Sequence, residues 1–300
     1  MSEDISIDLT APGSERIAEG ELPYETIATD IVFGEGPVWC KRTKQLFFTD
    51  ICGDTVWKWK PGVGQEAILR PSIKANGMCF DLEGRLVVAG WGGRTVWRFE
   101  KDGSLKTLAS HYQGKKINSP NDIVVRNDGQ IYFTDSPGGM LNVGMVGYDL
   151  QKYLDIQGVY RIALDGTLHL VTDDFVYPNG LCFSPDEKIL YVNDSRLGLI
   201  RSFKVNDDGS VGAGKLFHTM QGPEAGVADG MKCDIEGNIY CTGPNGVHVI
   251  DPKGRLLGRL KIPGHSTNMA WGDDDWCSLY VTTYNSVYRT RVKVPGVAVW

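Results

Sequence analysis

Apolar stretches of five to seven residues recur along the chain, bounded by Asp, Asn, Gly and Pro, and no helical period is sustained outside one insertion. The clearest are QLFFTD (45–50), RLVVAG (85–90), QIYFTD (130–135), KILYVND (188–194), NIYCTG (238–243) and SLYVTT (278–283). Each is followed, after a polar turn, by a second stretch: TVWKW (55–59), TVWRF (95–99), GVYRI (158–162), LIRSF (199–203), GVHVI (246–250) and SVYRT (286–290). β-Branched and aromatic residues fill both sets, as strands require. Weaker stretches such as LHLV (168–171) and KLFH (215–218) offer a fourth strand, and Asp-Gly pairs at 102–103, 128–129, 165–166 and 208–209 supply turns where φ must be positive. Each unit opens with a polar residue, usually followed by Gly: Glu35, Asn76, Asn121, Asn179, Asp229 and Asn268.

Units of roughly 40–50 residues with four strands each predict an all-β, six-bladed propeller. Its domain runs over 24–300, behind a loose or wrapping N-terminal tail over 1–23. The sixth unit lacks a good fourth strand, so YETIATDIVF (24–33) is expected to join the last blade and close the ring. One connection is too long for a hairpin. Residues 136–157 form a glycine-rich insertion, a candidate lid in which DLQKYLDI could form a short helix.

Composition narrows the function classes. With 31 basic and 37 acidic residues the net charge is −6 and no basic run occurs, which argues against nucleic acid. No apolar run approaches the ~18 residues needed to span a bilayer. The acidic start MSEDISIDLT does not read as a signal peptide. Seven Cys with no CxxC pair, several inside strand-like runs, read as buried thiols in a reducing, cytoplasmic setting.

In a propeller the innermost strands line the axis, so the six opening residues converge there. They bring two carboxylates and four amides beside apolar strands, with no Lys or Arg among them. Burying such charge unpaired costs several kcal/mol. A hard divalent cation taking oxygen ligands relieves it, and the absence of His and Cys disfavours Zn²⁺ and Cu²⁺. The competing reading is that Asn-Gly and Glu-Gly are ordinary turn residues; recurrence at one phase of all six units favours the cation.

The segments FGEGPVW (33–39), INSPNDIVVRNDGQIYFTDSPGG (117–139), YPNGLCFSPDEKILYVND (177–194) and ADGMKCDIEGNIY (228–240) resemble the senescence marker protein/gluconolactonase/luciferin-regenerating enzyme family. The resemblance spans nearly all of the chain from about residue 24. It implies a six-bladed propeller, a divalent cation held by Glu35, Asn121, Asn179 and Asp229, and hydrolysis of sugar lactones. Ca²⁺ is the expected ion, with Zn²⁺, Mn²⁺ and Mg²⁺ left open. Asn76 and Asn268 then become supporting or substrate-facing residues. Two departures bear on substrate: Ser119 replaces an Arg of the animal branch, and Gly90-Trp91-Gly92-Gly93 replaces a Glu-His-Gly segment. Trp91 is expected to face the pocket and to favour a less polar lactone. His265 in GHSTN lies close enough in sequence to Asn268 to reach the channel mouth.

The resulting expectation is a metal-dependent lactonase acting on a small lactone or ester. The cation would polarise the carbonyl, and Asp229 would serve as general base or nucleophile. The alternatives are a calcium-binding propeller without catalysis, and a phosphotriesterase or metal-assisted lyase on the same scaffold.

Overall fold

The computed structural model describes residues 5–299 except 10, 19, 20, 143 and 221. Six antiparallel sheets are arranged as blades around an axis. Blade one comprises Gly34–Cys40, Gln45–Asp50, Thr55–Lys60 and Gly64–Leu69, and blade two Met78–Phe80, Leu86–Gly90, Thr95–Phe99 and Leu105–Ala109. Blade three is Ser119–Val125, Ile131–Ser136, Gly158–Ile162 and Leu168–Thr172; blade four is Pro178–Phe183, Ile189–Asp194, Leu199–Lys204 and Lys215–Thr219. Blade five contains Met231–Cys233, Ile239–Gly243, Gly246–Ile250 and Leu256–Lys261, and blade six Ser266–Gly272, Ser278–Thr283 and Val287–Arg291. The fourth strand of blade six is Tyr24–Ala28, antiparallel to Val287–Arg291, so the first strand of the propeller closes the ring as the alternation predicts.

The tail is not loose where it is described. Ile5–Leu9 pairs with Leu256–Lys261 and with Glu21–Leu22, extending blade five to six strands. Residues 1–4, 10, 19 and 20 of the expected tail lie outside the described residues. At the other end, residues 292–297 run beneath blade five, held by Ile235 N–H to Pro295 O (3.0 Å) and Val297 N–H to Cys233 O (3.2 Å).

The core lies between neighbouring blades. Large rings from adjacent sheets interlock there, as where Trp39 of blade one stacks on Tyr280 of blade six with centroids 5.4 Å apart. Both are buried, and rings of this size bury ~150–250 Å² each.

The middle strands end in Thr-Asp or its equivalent for a reason. Asp50 accepts the N–H groups of Val32, Phe33 and Gly53, and Asp194 those of Val176, Tyr177, Arg196 and Leu197. Each carboxylate pins the incoming connection to the top of its blade. Thr49 and Thr242 donate their hydroxyls to Asn76 O and Thr267 O of the next blade, and Thr282 to Asn268 O within blade six. The repeat motif thus encodes the stitching of blade to blade beside the axis.

Among the described residues of 137–157 there is one helical turn, Gly138–Leu141, and otherwise irregular chain. The helix expected over DLQKYLDI does not form. Arg94, buried in blade two, donates to the carbonyls of Asp149 and Gln151 and takes acceptors that a helix would need.

Candidate active site

The inner strands carry an irregularity where the polar residues sit. The register shifts between Glu35 and Val38, Pro120 and Ile123, Pro178 and Leu181, and Ser266 and Asn268. A bulge breaks the alternation of a strand and re-aims a side chain. Four bulges therefore turn Glu35, Asn121, Asn179 and the start of blade six toward the axis. Asn76 and Asp229 sit just ahead of the inner strands of blades two and five.

Gly77 and Gly180, which follow two of these residues, serve close packing and not a turn. Neighbouring inner strands converge so closely that a Cβ on Gly77 would lie 2.6 Å from Asn121 O and one on Gly180 2.3 Å from Asp229 O. Gly77 N–H donates to Asn121 O (2.8 Å) and Gly180 N–H to Asp229 O (3.1 Å), joining adjacent blades.

All six opening residues are buried, and together they form a network. Glu35 Oε2 accepts from Gly36 N–H at 2.6 Å and from Asn268 Nδ2 at 2.8 Å. Asn76 Nδ2 donates to Asn121 Oδ1 at 3.3 Å, leaving its own Oδ1 without a partner. Asn179 Nδ2 donates to Ser195 Oγ at 3.0 Å, and Ser195 Oγ donates to Ala228 O at 2.6 Å. Asn76 and Asn268 thus sit behind Asn121 and Glu35 and orient them.

Sequence inspection missed two neighbours. Asp122 follows Asn121 and is buried, and Lys232 Nζ lies 3.1 Å from its Oδ2 and 3.2 Å from Asn268 Oδ1. The alternation of Met231–Cys233 and the bulge at Pro120–Ile123 bring these side chains together, a register no single-strand pattern reveals. Three carboxylates, Glu35, Asp122 and Asp229, thus share the axis with one ammonium. When all are ionised, two negative charges remain uncompensated.

The titration of the carboxylates reflects this. Burial, and then the charge of Asp122, push Glu35 up to about 7, against the opposing bonds from Gly36 and Asn268. Burial and then Glu35 push Asp229 well above the usual carboxylate range, while its bond to Asn179 works in the other direction. Two carboxylates flanked by amide oxygens, one of them unpartnered, suit a hard dication with oxygen ligands. Among the described residues no group of three or more His, Cys, Asp or Glu is placed to hold a metal ion.

The remaining expected residues are placed differently. Trp91 is only 2 % exposed and does not open onto the channel. Its Nε1 donates to Met145 O at 3.0 Å, and it packs with Ile51 and Tyr177, against which Phe33 and Met145 also lie. The insertion has folded down over the indole: a Cβ on Gly138 would strike both the Trp91 ring and the Tyr177 hydroxyl. Asn142 Nδ2 donates to that hydroxyl at 2.9 Å. Ser119 is also buried, under Gly139, with no partner for its Oγ. His265 reaches the rim, stacked on Tyr284. Burial, and then the charge of Asp229, raise the pKa of the Tyr284 phenol.

A ring of carboxylate and amide oxygens at one end of the axis of a closed six-bladed propeller defines the class of this molecule. The chain belongs to the family described as the SMP-30/Gluconolactonase/LRE-like region, which matches residues 33–285. It is 30 % identical to a gluconolactonase of Zymomonas mobilis over 308 aligned positions, covering 95 % of this chain and 86 % of that one. It is 28 % identical to pentonolactonase XacC of Haloferax volcanii, with 86 % and 83 % covered. Among solved structures, a gluconolactonase of Xanthomonas campestris superposes with a TM-score of 0.88 at 30 % identity, covering 96 % and 95 % of the two chains. Among the described residues no helix is long and apolar enough to cross a membrane.

Proposed function

We propose that the protein is a metal-dependent hydrolase that opens small sugar lactones, with a divalent cation held by Glu35, Asn121, Asn179 and Asp229. The observation that supports the reading is the burial of three carboxylates, Glu35, Asp122 and Asp229, beside the single ammonium of Lys232, which leaves two negative charges for a dication when all are ionised. Relatives acting on six-carbon and five-carbon sugar lactones support the substrate class. Because Trp91 is closed under the insertion, it gives no reason to favour a less polar lactone.

When bound, the cation would supply Lewis-acid polarisation of the lactone carbonyl. The side chains supply the rest. Ser195 fixes the Asn179 amide so that its Oδ1 is free to face the axis. Asn268 and Gly36 hold one Glu35 oxygen in place, and Lys232 neutralises Asp122 so that it does not compete for the same charge. Asp229 takes a proton from the water as its oxygen attacks the carbonyl carbon, and returns it to the ring oxygen as the C–O bond breaks. Burial beside Glu35 raises its basicity, and ligation lowers it again while keeping it ionised.

The test is turnover of six-carbon and five-carbon aldonolactones and of a phosphotriester by protein as isolated, chelator-treated and reloaded with Ca²⁺, Mn²⁺ or Zn²⁺. Lactone hydrolysis should vanish on chelation and return with one ion. Full activity in metal-free protein overturns the metal role, and absence of lactone turnover under every condition overturns the lactonase reading.

A further inference from the structure

A cleft of about 560 Å³ lies between blades five and six, on the same face as the axial ring. Its walls come from the connection into blade five (224–226), the turn 243–246 and the connection into blade six (261–266). Both connections run directly into the ring, the first into Asp229 and the second into Asn268. Gly34, next to Glu35, donates its N–H to Tyr284 O at 3.3 Å, so the blade-six turn that carries Tyr284 is bonded to the ring itself.

Three rings stand in a row from the ring to the cleft. Phe33 and Tyr284 lie 4.7 Å apart at 37°, and Tyr284 and His265 lie 4.4 Å apart at 23°. Tyr284 is held between Phe33 and His265, and His265, which forms part of the cleft wall, turns the end of this row toward the cleft. Beyond the rings the cleft offers Glu224, Asn245 and Ser266, a mixture of acceptors and donors. The one ammonium in the wall, Lys261, is paired outward with Asp8 at 3.8 Å, so the cleft is not built as an anion trap. Hydroxyl groups both donate and accept and suit such a mixture, while the C–H face of a sugar ring covers an aromatic face. The volume lies within the range of ~300–1,000 Å³ usual for small-molecule pockets and exceeds what one hydroxymethyl group fills.

We infer that this cleft is a subsite for a polyhydroxylated substituent on the lactone, up to the size of a second sugar ring, with His265 and Asn245 as its specificity-determining residues and Tyr284 as the ring against which His265 is stacked. The inference rests on the lactonase reading and extends it to glycosylated aldonolactones. The stable ring-opened acid lets binding be measured apart from turnover. Calorimetry with the Ca²⁺-loaded protein should give tighter binding of maltobionate than of gluconate. His265→Ala, which removes the ring in the cleft wall, and Asn245→Gly, at φ 67 where glycine fits without strain, should each lower that preference about tenfold, roughly the worth of one ring contact or hydrogen bond. The ratio of kcat/KM for maltobionolactone over gluconolactone should fall in parallel. Equal binding of the two acids by wild type, or an unchanged preference in both variants, overturns the subsite. A wild type that prefers maltobionate but opens no lactone sustains the subsite and overturns only the lactonase reading.

Discussion

The proposed mechanism concentrates its chemistry in one side chain, Asp229. It is buried against Glu35, and apart from Asn179 no side chain of the ring bonds its carboxylate in a way that would lower its pKa. Asp229→Asn keeps the size and one ligating oxygen while removing both the charge and the base. The expected protein is folded, binds Ca²⁺ more weakly by calorimetry, and turns over gluconolactone at least ~100-fold more slowly when saturated with the ion. Near-wild-type turnover by the saturated variant would remove Asp229 from the mechanism. At this scale the sequence told only part of the story. The six opening residues were legible because they recur at one phase of the repeat. Lys232, Asp122 and Ser195 were not, because each acts through the alignment of strands from different blades. Trp91 was misread because its environment is set by an insertion that has no period to read.

Among the elements, the strands were the most legible and the connections the least. Alternation and turn residues mark the middle and third strands of all six blades to within a residue or two, since their pattern is set by burial between sheets. Glycines at 77 and 180 mimic a turn signal but serve close packing at the axis, a distinction that only the neighbouring blade makes. The stretch DLQKYLDI has helical character, yet Arg94 decides its path. The guanidinium donates to Ile117 O and Asn118 O at one side and to Asp149 O and Gln151 O at the other, tying the insertion to the connection that leads into blade three. Lysine cannot reproduce that fork. Arg94→Lys should leave the propeller intact by circular dichroism but raise the rate of proteolytic cleavage within 144–157 roughly tenfold or more, since a bond from a charged donor contributes about 1.5–3 kcal/mol. Equal cleavage rates in wild type and variant would show that the insertion is held by its other contacts, Trp91 to Met145 and Asn142 to Tyr177.

On the scale of the whole molecule, a closed ring converges buried charge on its axis, and stability must follow the state of that charge. Glu35 has its pKa raised from 4.5 to about 7 in the folded chain, and Asp229 is also raised. Asp135, at the top of blade three, is raised from 3.8 to about 7, chiefly by burial. For an acid whose folded pKa exceeds its unfolded value, the native state binds the extra proton. Metal-free protein should therefore be most stable at the acid end of this window and lose stability as pH rises from about 4 to about 7, where the slope from Glu35 and Asp135 ends, while the share of Asp229 lasts for as long as its carboxyl stays protonated in the native state. A dication on the ring keeps Glu35 and Asp229 ionised in the native state and removes their share of the loss, leaving that of Asp135, which lies outside the proposed ligand set. Melting temperatures measured with Ca²⁺ and with chelator should therefore lie close together near pH 5 and separate progressively towards about pH 8. Four of the six blades supply a proposed ligand, so the gap should appear in the single main transition and not as a separate local step. A gap of constant size across the range would mean that binding displaces no proton from Glu35 or Asp229, and no gap at any pH would mean that the axis holds no ion.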